Sequence, residues 1–159
     1  MSSFRKIIYS SLLFITACGF SPLYTGNDPS RLIGQIRIQE PNSQDEFIFY
    51  SRLVDRFGQA DDKYILNYAI TSTKEDRALN FDGTAHRVEI FGSVSFSLKD
   101  KEKEIELLYD KEEMYLTYSN AGSTAAVLNA ERDTNKQLII LLADKVADRI
   151  SLTIVEENL

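Results

Sequence analysis

Residues 87–118 read RVEIFGSVSFSLKDKEKEIELLYDKEEMYLTY, two strand-like segments on either side of a charged turn at 99–103. In segment 87–98 the apolar residues share one face: Val88, Ile90, Val94, Phe96 and Leu98. Segment 104–118 places four apolar or aromatic residues on one side: Ile105, Leu107, Tyr109 and Tyr115. A period of two predicts β-strands. At about 3.3 Å per residue each strand would exceed roughly 35 Å, so we expect a protruding or strongly twisted hairpin.

The segment before this hairpin predicts two more strands and a helix. Residues 32–39 alternate loosely as a first strand, and residues 64–71 alternate as the second. Between them, Ser43-Gln44-Asp45-Glu46 is a capping box, in which Ser43 and Glu46 each satisfy a free backbone N–H. The helix that follows has Arg52, Asp55 and Arg56 on its outer side and ends at Gly58. Its predicted buried stripe consists of Phe47, Tyr50, Leu53, Val54 and Phe57.

A long C-terminal helix is predicted over 124–153, with a stripe formed by Ile139, Leu142, Ala143, Val146 and Ile150. The order strand, helix, three strands, helix predicts an α+β fold, with two helices packed on one face of a mixed four-stranded sheet. Leu138 and Leu141 fall outside the stripe. Two interpretations stay open: they pack on the first helix, or they form an exposed apolar interface for a partner protein.

The N-terminus indicates export. Arg5 and Lys6 precede an apolar run at 7–16, which is typical of a secretory signal peptide over 1–17. Ile15-Thr16-Ala17-Cys18 is similar to a lipobox, which predicts cleavage before Cys18 and lipid attachment to its thiol. Residues 18–31 then form a tether and residues 32–159 a single domain. The alternative is an ordinary cleaved signal that leaves Cys18 as a free thiol.

Charge and composition disfavour several function classes. Without Arg5 and Lys6 the chain has 16 basic and 24 acidic residues, and such an acidic protein is a poor nucleic-acid binder. His86 is the only histidine and Cys18 the only cysteine, so we expect no His/Cys metal site, no catalytic residues and no enzymatic activity. This expectation argues against the alternative hypothesis of a periplasmic hydrolase that uses His86 as a catalytic residue.

One basic cluster flanks the loop between the second and third strands: Lys74, Arg77, His86 and Arg87. One interpretation is salt bridging to the neighbouring carboxylates Glu75, Asp76 and Asp82. The other is a site for a phosphate or carboxylate group, which the arginines would bind through two parallel hydrogen bonds.

The segment Cys18-Gly19-Phe20-Ser21-Pro22-Leu23-Tyr24 resembles the start of the mature lipopolysaccharide-assembly lipoproteins of the LptE family, in their alphaproteobacterial form. The entry to the last helix, with Tyr118-Ser119-Asn120 and Ala130-Glu131-Arg132-Asp133, is also similar to that family. The resemblance covers nearly the whole mature chain.

This resemblance implies a protein anchored by Cys18 on the periplasmic face of the outer membrane. Such a protein plugs the β-barrel translocon LptD, assists its assembly and binds lipopolysaccharide during transport to the cell surface, with no cofactor other than the covalent lipid. Arg77 and Arg87 are the candidate lipopolysaccharide contacts, chosen on local charge. The alternative function is an accessory or ligand-carrying lipoprotein of another transport system, with a deep pocket lined by Tyr64, Tyr68 and Phe96.

Overall fold

The computed structural model describes residues 33–58, 63–79 and 85–156, and side chains within 33–58, 63–76 and 87–154. The elements in chain order are β1 (Ile36–Ile38), α1 (Gln44–Phe57), β2 (Tyr64–Leu79), β3 (Ala85–Asp100), β4 (Ile105–Ser119) and α2 (Thr124–Glu156). The predicted signal peptide and tether, including Cys18, lie outside the described residues.

The four strands form one sheet in the order β1-β2-β3-β4. β1 runs parallel to β2, and the other neighbours are antiparallel, so the sheet is mixed. Both helices cover one face of it, which confirms the predicted α+β fold. At about 1.5 Å per residue the 33-residue α2 is roughly 50 Å long, close to the length of the 16-residue β3 at about 3.3 Å per residue. One helix therefore spans the long hairpin.

α2 buries the predicted stripe completely. Ion pairs secure this helix on both sides. Toward α1, the Arg52 guanidinium donates to both oxygens of Asp144, at 2.9 and 3.1 Å, and Arg56 pairs with Asp148. Toward β4, Lys145 pairs with Glu112 at 3.0 Å and Arg149 with Asp110 at 2.7 Å. Because these contacts lie on opposite flanks of α2, they restrict its rotation over the sheet.

α1 begins as predicted, since the Ser43 hydroxyl accepts from the Glu46 N–H at 3.2 Å. The Glu46 carboxylate in turn accepts from the Asn42 N–H at 2.6 Å. The predicted stripe needs correction, because the fully buried residues of α1 are Phe49, Leu53 and Phe57.

Phe47 was expected in that stripe but is 59% exposed. Two residues correspond to about 200° around a helix, so Phe47 points away when Phe49 packs on Tyr68 with ring centroids 4.8 Å apart. Arg52 and Arg56, expected on the outer side, instead contact α2.

Two strand predictions also change. The first strand is limited to Ile36–Ile38, because residues 33–35 form a turn in which Gly34 has a φ of 76°. In β4, Tyr109 and Tyr115 face away from the helices, whereas the other parity, including Met114, Leu116 and Tyr118, packs inward. The pairing shifts register after Leu98↔Leu108, so that Lys99 pairs with Glu106 and Leu107 is skipped. A strand's inward parity changes at such a bulge.

No helix within 33–58, 63–79 and 85–156 is long and apolar enough to cross a bilayer.

Candidate functional site

The side of the sheet that faces away from the helices carries, between the register shifts, the odd-numbered residues of 65–75 in β2, 87–99 in β3 and 109–119 in β4, and we call it the open face. Cross-strand rows define it: Thr73–Phe91–Tyr115, Thr71–Ser93–Glu113, Ala69–Ser95–Lys111 and Asn67–Ser97–Tyr109. The even-numbered residues between them on β3 are buried under the helices. Because successive side chains of a strand alternate between faces, the two sets are strictly separated.

Small hydroxyl side chains occupy the centre of the open face. Ser93, Ser95 and Ser97 form a continuous row on β3, and Thr71 and Thr73 extend it onto β2. A hydroxyl can donate one hydrogen bond and accept two. The centre of the open face is therefore polar, with many hydrogen-bonding groups.

Two tyrosines flank this hydroxyl row. Tyr109 is 71% exposed and Tyr115 is 62% exposed. They are six residue steps apart along β4, about 20 Å. Between them, Lys111 and Glu113 form an exposed ion pair at 2.5 Å. Exposed tyrosines with adjacent hydroxyls are typical of protein-binding surfaces, since the ring supplies area and the OH a directional contact.

The predicted basic cluster is divided by the sheet. Lys74 has even parity and lies on the helix side, where its ammonium contacts the Glu131 carboxylate at 2.7 Å. Arg87 is exposed on the opposite side, paired in register with Ser119 of β4 and Ala78 of β2. The side chains of Arg77 and His86 lie outside those that the structure describes. The ion pair at Lys74 thus joins β2 to a residue of α2 that is distant in sequence.

Glu131 also accepts a hydrogen bond from the Tyr118 hydroxyl at 3.1 Å. The hydrogen bond from Lys74 lowers the pKa of Glu131, and the same contact raises the pKa of Lys74. Burial, followed by the Glu131 contact, raises the pKa of Tyr118. These three residues join β2, β4 and α2, so Lys74 serves to hold the helix on the sheet.

Residues 33–150 match the family LptE: Lipopolysaccharide-assembly. The match covers most of the 159-residue chain. The chain belongs to the LptE family. This confirms the resemblance inferred from the residues after Cys18, and it gives the chain a role in lipopolysaccharide assembly. The LptE family is one of non-enzymatic envelope lipoproteins.

Solved structures of similar fold support the LptE architecture. A lipoprotein from Caulobacter crescentus is 18% identical, with a TM-score of 0.65 over 81% of this chain and 96% of that chain. The rare lipoprotein B of Shewanella oneidensis is 16% identical, with a TM-score of 0.62 over 79% of this chain and 98% of that chain. Lipoprotein B of Nitrosomonas europaea is 13% identical, with a TM-score of 0.57 over 77% and 87%. No curated protein matches the sequence.

The leucine pair expected as an interface of this LptE-family protein needs a correction. Leu138 is fully buried and packs over β3, where Gly92 leaves room for its side chain. It therefore contributes no exposed surface. Leu141 is partly buried and lies one helical turn before Lys145, on the side of α2 that contacts β4.

The alternative hypothesis, a ligand-carrying lipoprotein of another transport system, required a pocket lined by Tyr64, Tyr68 and Phe96. All three side chains are buried in the core, and burial raises the pKa of Tyr68 to about 12. They form no pocket because Phe49 and the sheet enclose them. Within the described part of the chain, no group of three or more His, Cys, Asp or Glu side chains is arranged to hold a metal ion.

Sequence reasoning missed the open face as a site. The signal was present in the segment SVSFSL at 93–98, where serine alternates with apolar residues. That alternation was used only to identify the buried side of the strand, although it also defines a row of hydroxyls on the other side.

Proposed function

We propose that this chain is an outer-membrane lipoprotein, acylated on Cys18, that plugs the LptD β-barrel translocon and assists its assembly. In this proposal it also binds lipopolysaccharide during transport to the cell surface. Membership of the LptE family supports the process, and the uncovered polar face of the sheet is the observation that supports plugging.

The physical argument rests on the polarity of barrel interiors. The lumen of a large transmembrane β-barrel is lined with polar side chains, whereas its lipid-facing wall is apolar. A plug needs a surface that exchanges hydrogen bonds with water for hydrogen bonds with such a wall. The serine row, with Tyr109 and Tyr115 beside it, has that chemistry. Leu141 is a further proposed contact, since part of its side chain stays exposed on the β4 flank of α2.

Lipopolysaccharide carries phosphate groups, which arginine binds through paired, charge-assisted hydrogen bonds. Arg87 is exposed on the open face, and Ala78 opposite it follows Arg77 directly along β2. We therefore propose that Arg77 and Arg87 contact lipopolysaccharide at the end of the β2–β3 hairpin, separately from the hydroxyl row.

Co-purification from solubilised outer membranes tests the plug. The wild-type chain should retain LptD, and a Ser93→Glu/Ser97→Glu variant should lose most of it because two carboxylates meet the barrel wall. Asn129→Glu/Gln137→Glu is the matched control, since both residues are exposed on α2 and the charge change is identical. Circular dichroism should show both variants folded, because Ser93 and Ser97 lie on the uncovered side of the sheet and none of the four substitutions removes a core side chain.

If the wild-type chain retains no barrel protein, the plug proposal is wrong. Retention of LptD by the open-face variant at the control level would instead exclude this face as the contact.

Lipopolysaccharide binding has its own test. Arg77→Glu/Arg87→Glu should weaken binding of purified lipopolysaccharide about tenfold or more, since charge-assisted hydrogen bonds contribute roughly 1.5–3 kcal/mol each. Arg132→Glu/Lys136→Glu is the control, with the same charge reversal on exposed residues of α2. Equal binding by the two variants would remove Arg77 and Arg87 from the site.

A further inference from the structure

A groove runs along the free edge of β1, between this strand and α1, and we call it the β1 groove. Residues 36–40 form one wall, and Tyr50 and Val54 of α1 with its C-cap Gly58 form the other. Ile65 and Asn67 of β2 complete the lining. Four residue steps of strand and eight of helix both measure about 12–13 Å, so the walls match in length. The groove is open to solvent and has both apolar and polar walls.

The backbone of β1 presents hydrogen-bonding groups to this groove. The Tyr64 N–H donates to the Gln35 carbonyl, and the Gln39 N–H donates to the Leu66 carbonyl, both at 2.9 Å. Odd-numbered positions of β1 therefore bond to β2, so the N–H and C=O groups of Ile36 and Ile38 point to the groove. Among the described residues, no strand pairs with this edge. A free strand edge of this kind accepts an extended peptide.

The chain enters β1 at one end of this groove. The turn at 33–35 is held by the Gly34 N–H, which donates to the Phe57 carbonyl at 2.7 Å. Ile33 lies against Gly58, because a Cβ built on that glycine would be 3.3 Å from the Ile33 side chain. Gly34 has a positive φ in this turn, and Ile33 is the first described residue, so the chain before it starts at the Gly58 end of the groove.

The segment before the turn contains a candidate occupant. Within 19–31, Phe20, Leu23 and Tyr24 are the large apolar or aromatic residues, and they cluster in 20–24. Eight residues, 25–32, lie between Tyr24 and Ile33, and the nine residue steps reach up to about 30 Å in extended form, more than twice the groove length. Covalent connection gives this segment an effective concentration in the millimolar range, an advantage that no separate protein has.

We propose that residues 20–24 bind in the β1 groove as an extended segment beside β1. The backbone of this segment pairs with Ile36 and Ile38, and its side chains contact Tyr50 and Val54. Cys18 then lies only two residues, about 7 Å, from the occupied groove. If Cys18 carries lipid as proposed above, the domain is held against the bilayer by its β1 edge and not by a long loose tether. Binding of the segment does not itself require the lipid.

Disulfide trapping in the mature chain tests the proposal. Cys18→Ser removes the natural thiol, and Leu23→Cys with Val54→Cys then places one thiol in the segment and one in the groove. The intramolecular disulfide should form at least about tenfold faster than in the control Leu23→Cys with Glu102→Cys, because docking raises the local thiol concentration. Glu102 is exposed in a turn tied to Lys63 at the same end of the molecule.

Hydrogen exchange gives a second measurement that needs no introduced cysteines. In an extended segment beside β1 only alternate N–H groups face that strand, and Pro22 has no N–H, so Ser21 and Leu23 supply the paired donors. The amides of Ser21 and Leu23 should exchange at least about tenfold more slowly than those of Asn27 and Asp28, and Val54→Lys should abolish that difference. Equal disulfide rates in the two pairs, together with unprotected amides, would overturn the proposal. Concentration-dependent dimers linked through the Leu23 and Val54 positions would assign the groove to a second copy and would overturn it too.

Discussion

Gly92 is the residue on which the close packing of α2 depends. A Cβ at this position would lie 2.9 Å from Leu142 Cδ1 and 3.0 Å from Leu138 Cδ2. The missing side chain therefore forms the space that Leu138 fills, and explains why Leu138 is buried although it falls outside the apolar stripe of α2.

Replacing Gly92 by valine should push α2 away from the sheet. We expect Gly92→Val to lower the free energy of unfolding by about 1–3 kcal/mol, as overpacked cores do. Urea denaturation monitored by circular dichroism measures this free energy. The double variant Gly92→Val/Leu138→Ala should lose less unfolding free energy than the sum of the two single variants, because the valine side chain would occupy the space that Leu138 vacates. Strict additivity would contradict this account, and Ser93→Ala on the open face should be near neutral.

At the scale of elements, the β3–β4 hairpin ends in a turn organised by one buried carboxylate. Asp100 accepts from the N–H groups of Glu102 and Lys103 at 2.9 and 3.0 Å, and its side chain is buried. The Lys103 N–H is the largest contribution that lowers the pKa of Asp100. Glu104, with a φ of 55°, completes the chain reversal.

This turn should make stability depend on pH. A carboxyl whose pKa is lowered by folding stabilises the native state above its unfolded pKa of about 3.9, and that contribution is lost as the pH falls through the folded pKa. We expect the melting temperature of wild type to fall more steeply below about pH 4 than that of Asp100→Asn. Thermal unfolding between acid and neutral pH checks this, with Asp133→Asn as an exposed control. Parallel profiles for wild type and Asp100→Asn would refute the role of this carboxylate.

The buried face of an element could be predicted from the sequence where its apolar residues form one clear stripe. It could not be predicted where apolar residues occur on two faces. Every residue of the stripes predicted for β3 and α2 is buried, but α2 also buries Leu138 outside its stripe, because Gly92 leaves space for that side chain. β4 carries apolar residues on both parities, and the register shift at Leu98 changes which parity faces inward. In α1 the buried stripe was predicted through Phe47, which was wrong, because Phe49 packs on Tyr68 and Phe47 points away. The open face was missed because its residues are small and polar.

At the scale of the whole molecule, the proposed anchor is a single covalent bond outside the folded domain. We expect Cys18→Ala to abolish palmitate labelling and to leave the precursor uncleaved, because the modification requires a thiol. Labelling and mass spectrometry of the N-terminal peptide measure both. Ser21→Ala, three residues later, should be processed normally. An intact N-terminus or an unmodified Cys18 in the wild-type protein would contradict the lipoprotein assignment.

The strict division of the sheet into a covered and an uncovered side has an evolutionary consequence. Substitutions at Ser93, Ser95 or Ser97 leave every buried contact of Val94, Phe96 and Leu98 intact, so selection can act on the two sets separately. On the proposal that the open face contacts the barrel, a lineage can therefore change that contact with little effect on folding stability. Such independence allows binding specificity to drift quickly across a scaffold that hardly changes.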